Sequence, residues 1–317
     1  AEILTVKAVS AGDSGMSATA RVYTKSALFV AVATGDKAAY SFDGENWEAA
    51  DMPSSAGWEN VTYGGGKFVA VAWNSNTAAY SADGITWYTA DMPGGSAKWW
   101  GVTYGGGIFV AVAYSSNKAA YSEDGINWTA SPNGLPSSAG WSGVTYGSNK
   151  FVAVASDTSN TAAYSADGKT WIASPNGLPS SAQWESVTYG GGKFVATAEN
   201  SNTAAYSADG GHTWTAAPMP GGKRWEGVTY GGNKFVAVDG NTSNTAAYSA
   251  DGVHWTQAYM PSSVWWEEVT YGGGKFVAVA WNSNTAAYSA DGITWYPATL
   301  PGGSASWYGV AALNETP

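Results

Sequence analysis

The sequence predicts an all-β protein: a single seven-bladed β-propeller with four-stranded antiparallel blades. The first observation is a seven-residue phrase, SADGITW at Ser81–Trp87, that occurs in seven similar copies along the chain. A fixed period of about 40 residues is typical of propellers and other repeat arrays. The aspartates of the seven copies lie 40 to 43 residues apart and are Asp43, Asp83, Asp124, Asp167, Asp209, Asp251 and Asp291.

The second observation is the order of strand and turn signals within one repeat. Val61–Tyr63 and Phe68–Ala72 are β-prone segments, with the glycine turn 64–66 between them. Ala78–Ser81 predicts a third strand, and Thr86–Thr89 begins a fourth after a tight Asp-Gly turn. Four short strands in about 42 residues are the organisation of one propeller blade. Seven repeats therefore predict seven blades around a central channel.

The repeats run without interruption, so residues 1–317 are predicted to form one domain. The first-strand phrase Trp-x-x-Val-Thr-Tyr-Gly occurs in six full copies, and a reduced copy appears at Trp307–Val310. Residues 307–317 are therefore expected to supply a closing strand, and residues 1–18 an N-terminal closing segment. Such closure removes the open sheet edge between the first and last blades. The sequence leaves open which terminus supplies which strand.

Composition excludes several classes of function. The 317 residues carry a net charge of −10 and include no cysteine, and only 12% of them are charged. Without a basic run, nucleic acid is not an expected partner. Membrane insertion is not expected either, since no segment approaches the roughly 20 apolar residues that a span requires. The glycine runs are hairpin turns with no helix to receive a phosphate, and no cofactor is expected.

The repeated phrase also carries a family resemblance. Ser207–Trp214, SADGGHTW, resembles the Asp-box, or bacterial neuraminidase repeat, whose pattern is S-x-D-x-G-x-T-W. The resemblance covers all seven repeats and implies the β-propeller of sialidases, xyloglucanases and sortilin-type receptors. Six of the copies are one residue shorter than the family pattern. In this family the aspartates are structural and lie on the face away from the ligand.

The residues themselves favour the same role for the seven aspartates. An aspartate followed by glycine between two strands accepts hydrogen bonds from the amides of its turn. A residue required once for chemistry would not be required in every repeat. We therefore interpret the aspartates as turn residues and not as metal ligands or catalytic groups, and no metal site is expected.

Enzymatic function is not expected from the sequence. Sialidases of this family hold the substrate carboxylate with three arginines, whereas this chain has two, Arg21 and Arg224. A glycosidase needs a pair of carboxyl groups. Four acids follow the repeated tryptophan and would ring the channel mouth: Glu59, Glu185, Glu226 and Glu267. Three further acids depart from the repeat pattern: Glu199, Asp239 and Glu268. We interpret them as a solvated acidic rim.

The favoured function is non-enzymatic, lectin-like binding of glycans or glycoconjugates. Aromatic rings stack on sugar rings, asparagines bind hydroxyl groups, and repeated weak sites gain strength through multivalency. The predicted ligand residues lie in the loops and linkers of one propeller face: Trp73, Asn74, Asn76, Trp100, Tyr114, Asn117, Trp265, Trp281, Asn282 and Asn284. This function implies a secreted or cell-surface protein.

Two alternatives stay open. One is a polysaccharide-cleaving enzyme that uses the acids at the channel mouth. The other is a repeat scaffold, natural or designed, without a small ligand. The sequence does not indicate the oligomeric state.

Overall fold

The computed structural model describes residues 3–9, 17–23 and 28–313, and the described chain is an all-β propeller of antiparallel strands. Strand β1 (Ile3–Val9) pairs with β2 (Ser17–Tyr23) in a separate two-stranded sheet. The expected closing segment 1–18 therefore falls partly outside the described residues, at 1, 2 and 10–16. Among the described residues, no helix is long and apolar enough to cross a membrane.

One propeller sheet has six strands, in the spatial order β28-β3-β4-β5-β6-β7. Its strands are β3 (Phe29–Ser41), β4 (Glu48–Gly64), β5 (Lys67–Trp73), β6 (Thr77–Ser81), β7 (Tyr88–Asp91) and β28 (Trp307–Ala312). Strand β28 comes from the far end of the sequence and pairs with the first half of β3. The sheet therefore joins the two ends of the repeat array.

The other five propeller sheets have four strands each, in sequence order within each sheet. The first sheet contains β8 (Lys98–Gly105), β9 (Ile108–Tyr114), β10 (Ala119–Ser122) and β11 (Thr129–Ala130). The second contains β12 (Trp141–Gly147), β13 (Lys150–Ala155), β14 (Ala162–Ser165) and β15 (Ile172–Ala173). The third is β16 (Gln183–Gly190), β17 (Lys193–Glu199), β18 (Ser201–Ser207) and β19 (Thr215–Lys223). The fourth contains β20 (Trp225–Gly231), β21 (Lys234–Asp239), β22 (Ser243–Ser249) and β23 (Thr256–Val264). The fifth contains β24 (Trp266–Gly272), β25 (Lys275–Ala280), β26 (Thr285–Ser289) and β27 (Tyr296–Thr299).

The prediction of seven separate four-stranded blades is therefore wrong: the described residues form six blades, and the six-stranded blade carries two sequence repeats. The reason lies in β4, which is 17 residues long and passes from one repeat into the next without a break. Within it, Ala56 and Gly57 pair with Gly35 and Thr34 of β3, and Gly57 also pairs with Trp73 of β5, so the strand has no break. Hydrogen bonding across this linker joins the two repeats into one sheet.

The innermost strands contact one another in a closed cycle. The order is β4, β8, β12, β16, β20, β24, β28 and back to β4. The cycle surrounds a central channel, and its strands supply most of the channel wall. Function in a propeller depends on the side chains that this wall presents.

Buried tryptophans fill the space between neighbouring sheets. The first residue of the repeated Trp-x-x-Val phrase is fully buried in every copy. Trp141, for example, packs against Val110 and Val112 of the preceding sheet. An indole of this size buries roughly 150–250 Å² of surface. These contacts supply a large part of the hydrophobic stabilisation between sheets.

The repeated aspartates close the turns between the third and fourth strands. In one copy, Asp83 Oδ1 accepts hydrogen bonds from the backbone amides of Ile85 and Thr86 at 2.9 and 2.8 Å, and Ser81 Oγ donates to it at 2.9 Å. Burial alone would raise the pKa of Asp83, but these hydrogen bonds outweigh burial and hold the pKa below its ordinary value. Both amide contacts occur at five of the other six copies. In the longer copy, Asp209 Oδ1 accepts from the amide of Thr213.

The glycine after each aspartate packs tightly, which gives a test of the interface between sheets. At Gly125 the backbone φ is +74°, and a Cβ atom would lie 2.7 Å from Val69 Cγ2 of the neighbouring sheet. We expect Gly125→Ala to lower the free energy of unfolding by about 2–5 kcal/mol, because left-handed strain costs about 1–2 kcal/mol and overpacking about 1–3 kcal/mol. Urea denaturation measures the change.

Gly107→Ala is the matched control. Gly107 has a φ of +86°, but a Cβ atom there would have nothing within 4 Å. It therefore carries the left-handed strain alone, and we expect a loss of about 1–2 kcal/mol. Equal losses for the two variants would contradict the packing described for Gly125.

Candidate functional site: an acidic cavity at the propeller centre

A cavity of ≈ 590 Å³ opens at the centre of the propeller. It is lined by the inner strands and by aromatic residues from the adjoining loops and linkers. This volume lies within the roughly 300–1,000 Å³ of typical small-molecule sites. The cavity is therefore the candidate functional site.

A β-bulge in each inner strand sets which side chains enter the cavity. The hydrogen-bond register shifts just after each buried tryptophan, for example between Trp58 and Asn60, and between Trp184 and Ser186. A bulge leaves one extra residue unpaired and re-aims its side chain. The residues at these bulges all line the cavity: Glu59, Trp100, Ser142, Glu185, Glu226, Glu267 and Tyr308.

Three glutamates form a compact group inside the cavity. Carboxyl oxygens of Glu185, Glu199 and Glu226 lie within 4.8 Å of one another. Glu199 and Glu226 are buried, each with 7% of its surface exposed. The earlier interpretation of the acids as a solvated rim is therefore wrong for this group. Such a trio could also hold a metal ion, but Arg224 already brings a positive charge to it.

Burial changes the proton affinity of these acids. Burial raises the pKa of Glu185 well above its ordinary value, and the nearby charges of Glu226 and Glu199 raise it further. Burial also raises the pKa of Glu226 to about 7, although the Arg224 guanidinium opposes the shift. Glu226 therefore exchanges protons near neutral pH, and the shift at Glu185 favours its protonated form, as a general acid requires.

Arg224 is held firmly in the cavity wall. Its Nη2 atom lies 2.5 Å from Glu199, its Nε atom bonds Glu226, and its guanidinium carbon lies 4.3 Å from the centre of the Trp265 ring. Its backbone amide donates to Asp239 Oδ1 at 3.1 Å. Asp239 is fully buried and receives further hydrogen bonds from its own loop. Asp239 thus positions the arginine and does not line the cavity.

Five of the ten predicted ligand residues meet at this cavity. Trp73, Trp100 and Tyr114 form one aromatic group, with ring centres 5.0 to 5.9 Å apart. Trp265 and Trp281 form a second group, with ring centres 4.9 Å apart. The structure gathers these rings around one central site, whereas the sequence placed them in repeated sites.

The five predicted asparagines lie in the loops and are not among the lining residues. Asn74 and Asn282 adopt left-handed backbone conformations, with φ of 52° and 49°. The carbonyl groups of Asn76, Asn117 and Asn284 accept hydrogen bonds from the following linkers, at 2.6, 2.7 and 2.8 Å. In the structure these asparagines shape the loops.

Sequence reasoning missed part of the site. Tyr308 and Ser142 were not selected, and Arg224 was counted only as one of two arginines. The signal that finds the first two is positional, because both directly follow the repeated tryptophan, where the bulge occurs. Arg224 directly precedes such a tryptophan, and no repeat pattern marks an arginine there.

Known structures share this fold. A streptogramin B lyase structure has a TM-score of 0.72 and 16% identity, over 81% of this chain and 87% of that one. A catalytically inactive virginiamycin B lyase from Staphylococcus aureus with quinupristin has a TM-score of 0.68 and 15% identity, over 77% and 84%. YCF48 bound to D1 peptide has a TM-score of 0.62 and 16% identity, over 81% and 85%. No family model and no curated protein matches the chain.

These neighbours correct the expectation that the protein is not an enzyme. Two of them are structures of a lyase, so a propeller of this shape serves catalysis. At 15–16% identity the likeness establishes the fold alone. Chemistry must therefore be argued from the cavity itself.

The raised pKa values predict how stability depends on pH. Burial raises the pKa of Glu59 to about 8, so the folded protein keeps a proton that the unfolded chain releases above about pH 4.5. Stability from this group is complete at low pH and is lost as pH rises toward 8. We expect the free energy of unfolding to fall between about pH 5 and pH 8, and Glu59→Gln to flatten this slope in urea denaturation.

Glu123→Gln is the control for this measurement. The Glu123 side chain is 77% exposed, in contrast to the buried acids of the cavity. We expect its pH–stability curve to run parallel to that of the unmodified protein. An unchanged slope in Glu59→Gln would contradict the burial of Glu59 described above.

Proposed function

We propose that the protein is a carbohydrate-active enzyme that binds a glycan in the central cavity and hydrolyses a glycosidic bond there. The observation that carries this proposal is the approach of Glu185, Glu199 and Glu226 oxygens to within 4.8 Å of one another. Retaining glycosidases place their two carboxyl groups about 5–5.5 Å apart. A polysaccharide substrate implies a secreted or cell-surface protein.

The aromatic groups support glycan binding. Sugar rings stack on indole faces through their apolar C–H surface, and their hydroxyl groups bond the polar groups nearby. Trp100, Trp281 and Tyr114 present such surfaces beside the acids. A single central cavity replaces the repeated sites of a multivalent lectin in this proposal.

Glu185 and Glu199 take the two catalytic roles. Glu185, whose raised pKa favours the protonated form, donates its proton to the glycosidic oxygen as the bond to the anomeric carbon breaks. Glu199, oriented by Arg224, is the carboxylate that attacks the anomeric carbon and forms a glycosyl ester. Glu185 then takes a proton from water, and this water displaces Glu199 from the anomeric carbon.

Release of reducing ends from a panel of plant and microbial polysaccharides tests the activity. We expect Glu185→Gln and Glu199→Gln to lower kcat at least about 100-fold, the usual contribution of a positioned acid or base. Glu123→Gln, on the exposed surface, should keep full activity. Cleavage that survives in both cavity variants would rule out these roles.

Two rescue measurements separate the roles from a folding defect. An aryl glycoside with a good leaving group needs no proton, so Glu185→Gln should still form the glycosyl ester from it. Azide should replace the missing nucleophile in Glu199→Gly and yield a glycosyl azide. Absence of both rescues in folded variants would contradict the assignment.

Removal of an aromatic ring tests where the glycan binds. We expect Trp281→Ala to weaken binding of an oligosaccharide substrate roughly two- to ten-fold, because ring stacking contributes about 0.5–1.5 kcal/mol. Isothermal titration calorimetry measures the dissociation constant. Tyr296→Ala is the control, since Tyr296 is a 51% exposed ring outside the cavity. An equal loss in both variants would place the glycan elsewhere.

A further inference from the structure

We propose that the sugar unit in the cavity carries a positively charged amino group, which makes the substrate class an amino-sugar glycan without N-acetyl groups. This inference rests on the proposed function and names the substrate of that same site. It depends on where the cavity places acids, aromatic rings and the cations of the chain itself.

The cavity lining is strongly unbalanced in charge. Among its described lining residues, Arg224 is the one basic residue. The acidic residues are Glu59, Glu185, Glu199, Glu226, Glu267 and Glu268. Tyr114 and Tyr308 are the other titratable groups of the described lining. Lys98 and Asp157 lie near the Tyr114 ring. An anionic ligand would meet repulsion here, and a cationic ligand would meet attraction.

Two aromatic groups of the cavity already hold a cation of the chain. Arg224 sits over Trp265 and pairs with two glutamates. Lys98 Nζ lies 4.5 Å from the centre of the Trp73 ring and 5.7 Å from that of Tyr114. A cation over an aromatic face is stabilised by the ring quadrupole, most strongly when little water surrounds it.

A further cluster shares Trp281 with the Trp265 group and combines aromatic rings and acids. The Arg224 charge acts on Glu267 of this cluster, but the described contacts place no cation of the chain over the Trp281 or Tyr308 ring. Trp281 Nε1 donates to the Tyr308 hydroxyl at 3.0 Å. Burial raises the pKa of Tyr308, and the nearby charges of Glu59 and Glu267 add to the shift. The Oε2 atom of Glu267 is buried without a hydrogen-bond partner. We call Trp281, Tyr308, Glu59 and Glu267 the vacant corner.

An ammonium group fits the vacant corner. It offers three donors and a full positive charge, which match the unpaired Glu267 oxygen and the neighbouring Glu59. A neutral hydroxyl would satisfy one oxygen but could form no ion pair with the acids. An N-acetyl group is larger and uncharged. The corner therefore selects a free amine.

Binding of a cation should expel protons from the cavity. Burial raises the pKa of Glu59 to about 8 and that of Glu267 well above its ordinary value, and thus favours the protonated form of both acids. An adjacent ammonium favours their ionised forms. At about pH 6 an amine with a pKa near 7.7 is already charged, so a released proton comes from the carboxyl groups.

Calorimetry with three hexasaccharides tests the inference. The probes are a glucosamine hexamer, an N-acetylglucosamine hexamer and cellohexaose, titrated into Glu185→Gln at about pH 6. We expect the glucosamine hexamer to bind at least about ten-fold more tightly than the other two. Its binding should release protons, seen as a heat that depends on the ionisation enthalpy of the buffer.

Glu267→Gln and Glu123→Gln, each added to Glu185→Gln, are the paired variants. Glu267→Gln keeps the shape of the corner without its charge, and we expect it to abolish the preference for the glucosamine hexamer and to reduce proton release. Glu123→Gln should change neither. A preference that survives Glu267→Gln would overturn the vacant corner as its source.

The outcomes separate this inference from the proposed function. Equal binding of the three hexamers, with cleavage of any polysaccharide, overturns the amino-sugar inference and leaves the enzyme. Preferential glucosamine binding without cleavage of any glycan supports the inference and overturns the catalytic roles. Binding of none of the three hexamers overturns the inference, and activity on the polysaccharide panel then decides the enzyme on its own.

Discussion

The packing of one buried tryptophan per repeat against the preceding sheet is the interaction on which the rest of the structure depends. It sets the spacing of the sheets. Just after each of these tryptophans, a bulge interrupts the hydrogen-bond register of the inner strand beside the cavity. Four of these indoles, at Trp58, Trp141, Trp184 and Trp266, donate to the carbonyl of the serine four residues earlier. That serine follows the proline of a Pro-Ser-Ser linker.

The other three repeats lack this hydrogen bond. The indole nitrogens of Trp99, Trp225 and Trp307 are buried without a partner, and their linkers read Pro-Gly-Gly. Gly221 in one of these linkers has a φ of +95°, which a serine would adopt only with strain. A buried unpaired donor costs about 1–3 kcal/mol, so hydrophobic packing alone must hold these three rings.

The same architecture that stabilises the ring also makes the site. A bulge next to a fixed anchor can present any side chain to the channel without disturbing the sheet. The seven bulge positions hold glutamate four times, and tryptophan, serine and tyrosine once each. Near-identical repeats thus provide a uniform frame, and the bulge residues supply many of the chemical groups of the cavity wall.

Much of this was predictable from the sequence, and the failures have physical causes. The period of the aspartates predicts the propeller, and the glutamates after the tryptophans were correctly placed at the channel. The number of blades was wrong because the spacing of turn signals does not show that Ala56 and Gly57 pair across a linker. The burial of Glu226 and its approach to Glu185 and Glu199 depend on residues that converge from separate strands, which a single-sequence pattern does not reveal.

The closure of the ring by β28 links the site to the order in which the chain is made. Tyr308 reaches the cavity only after β28 has paired with β3, which lies more than 260 residues earlier in the sequence. A chain still emerging from the ribosome can form its local sheets, but contacts between such distant segments come last. The acids therefore remain without their complete enclosure until β28 has been synthesised, and a chain that ends before β28 carries no assembled site.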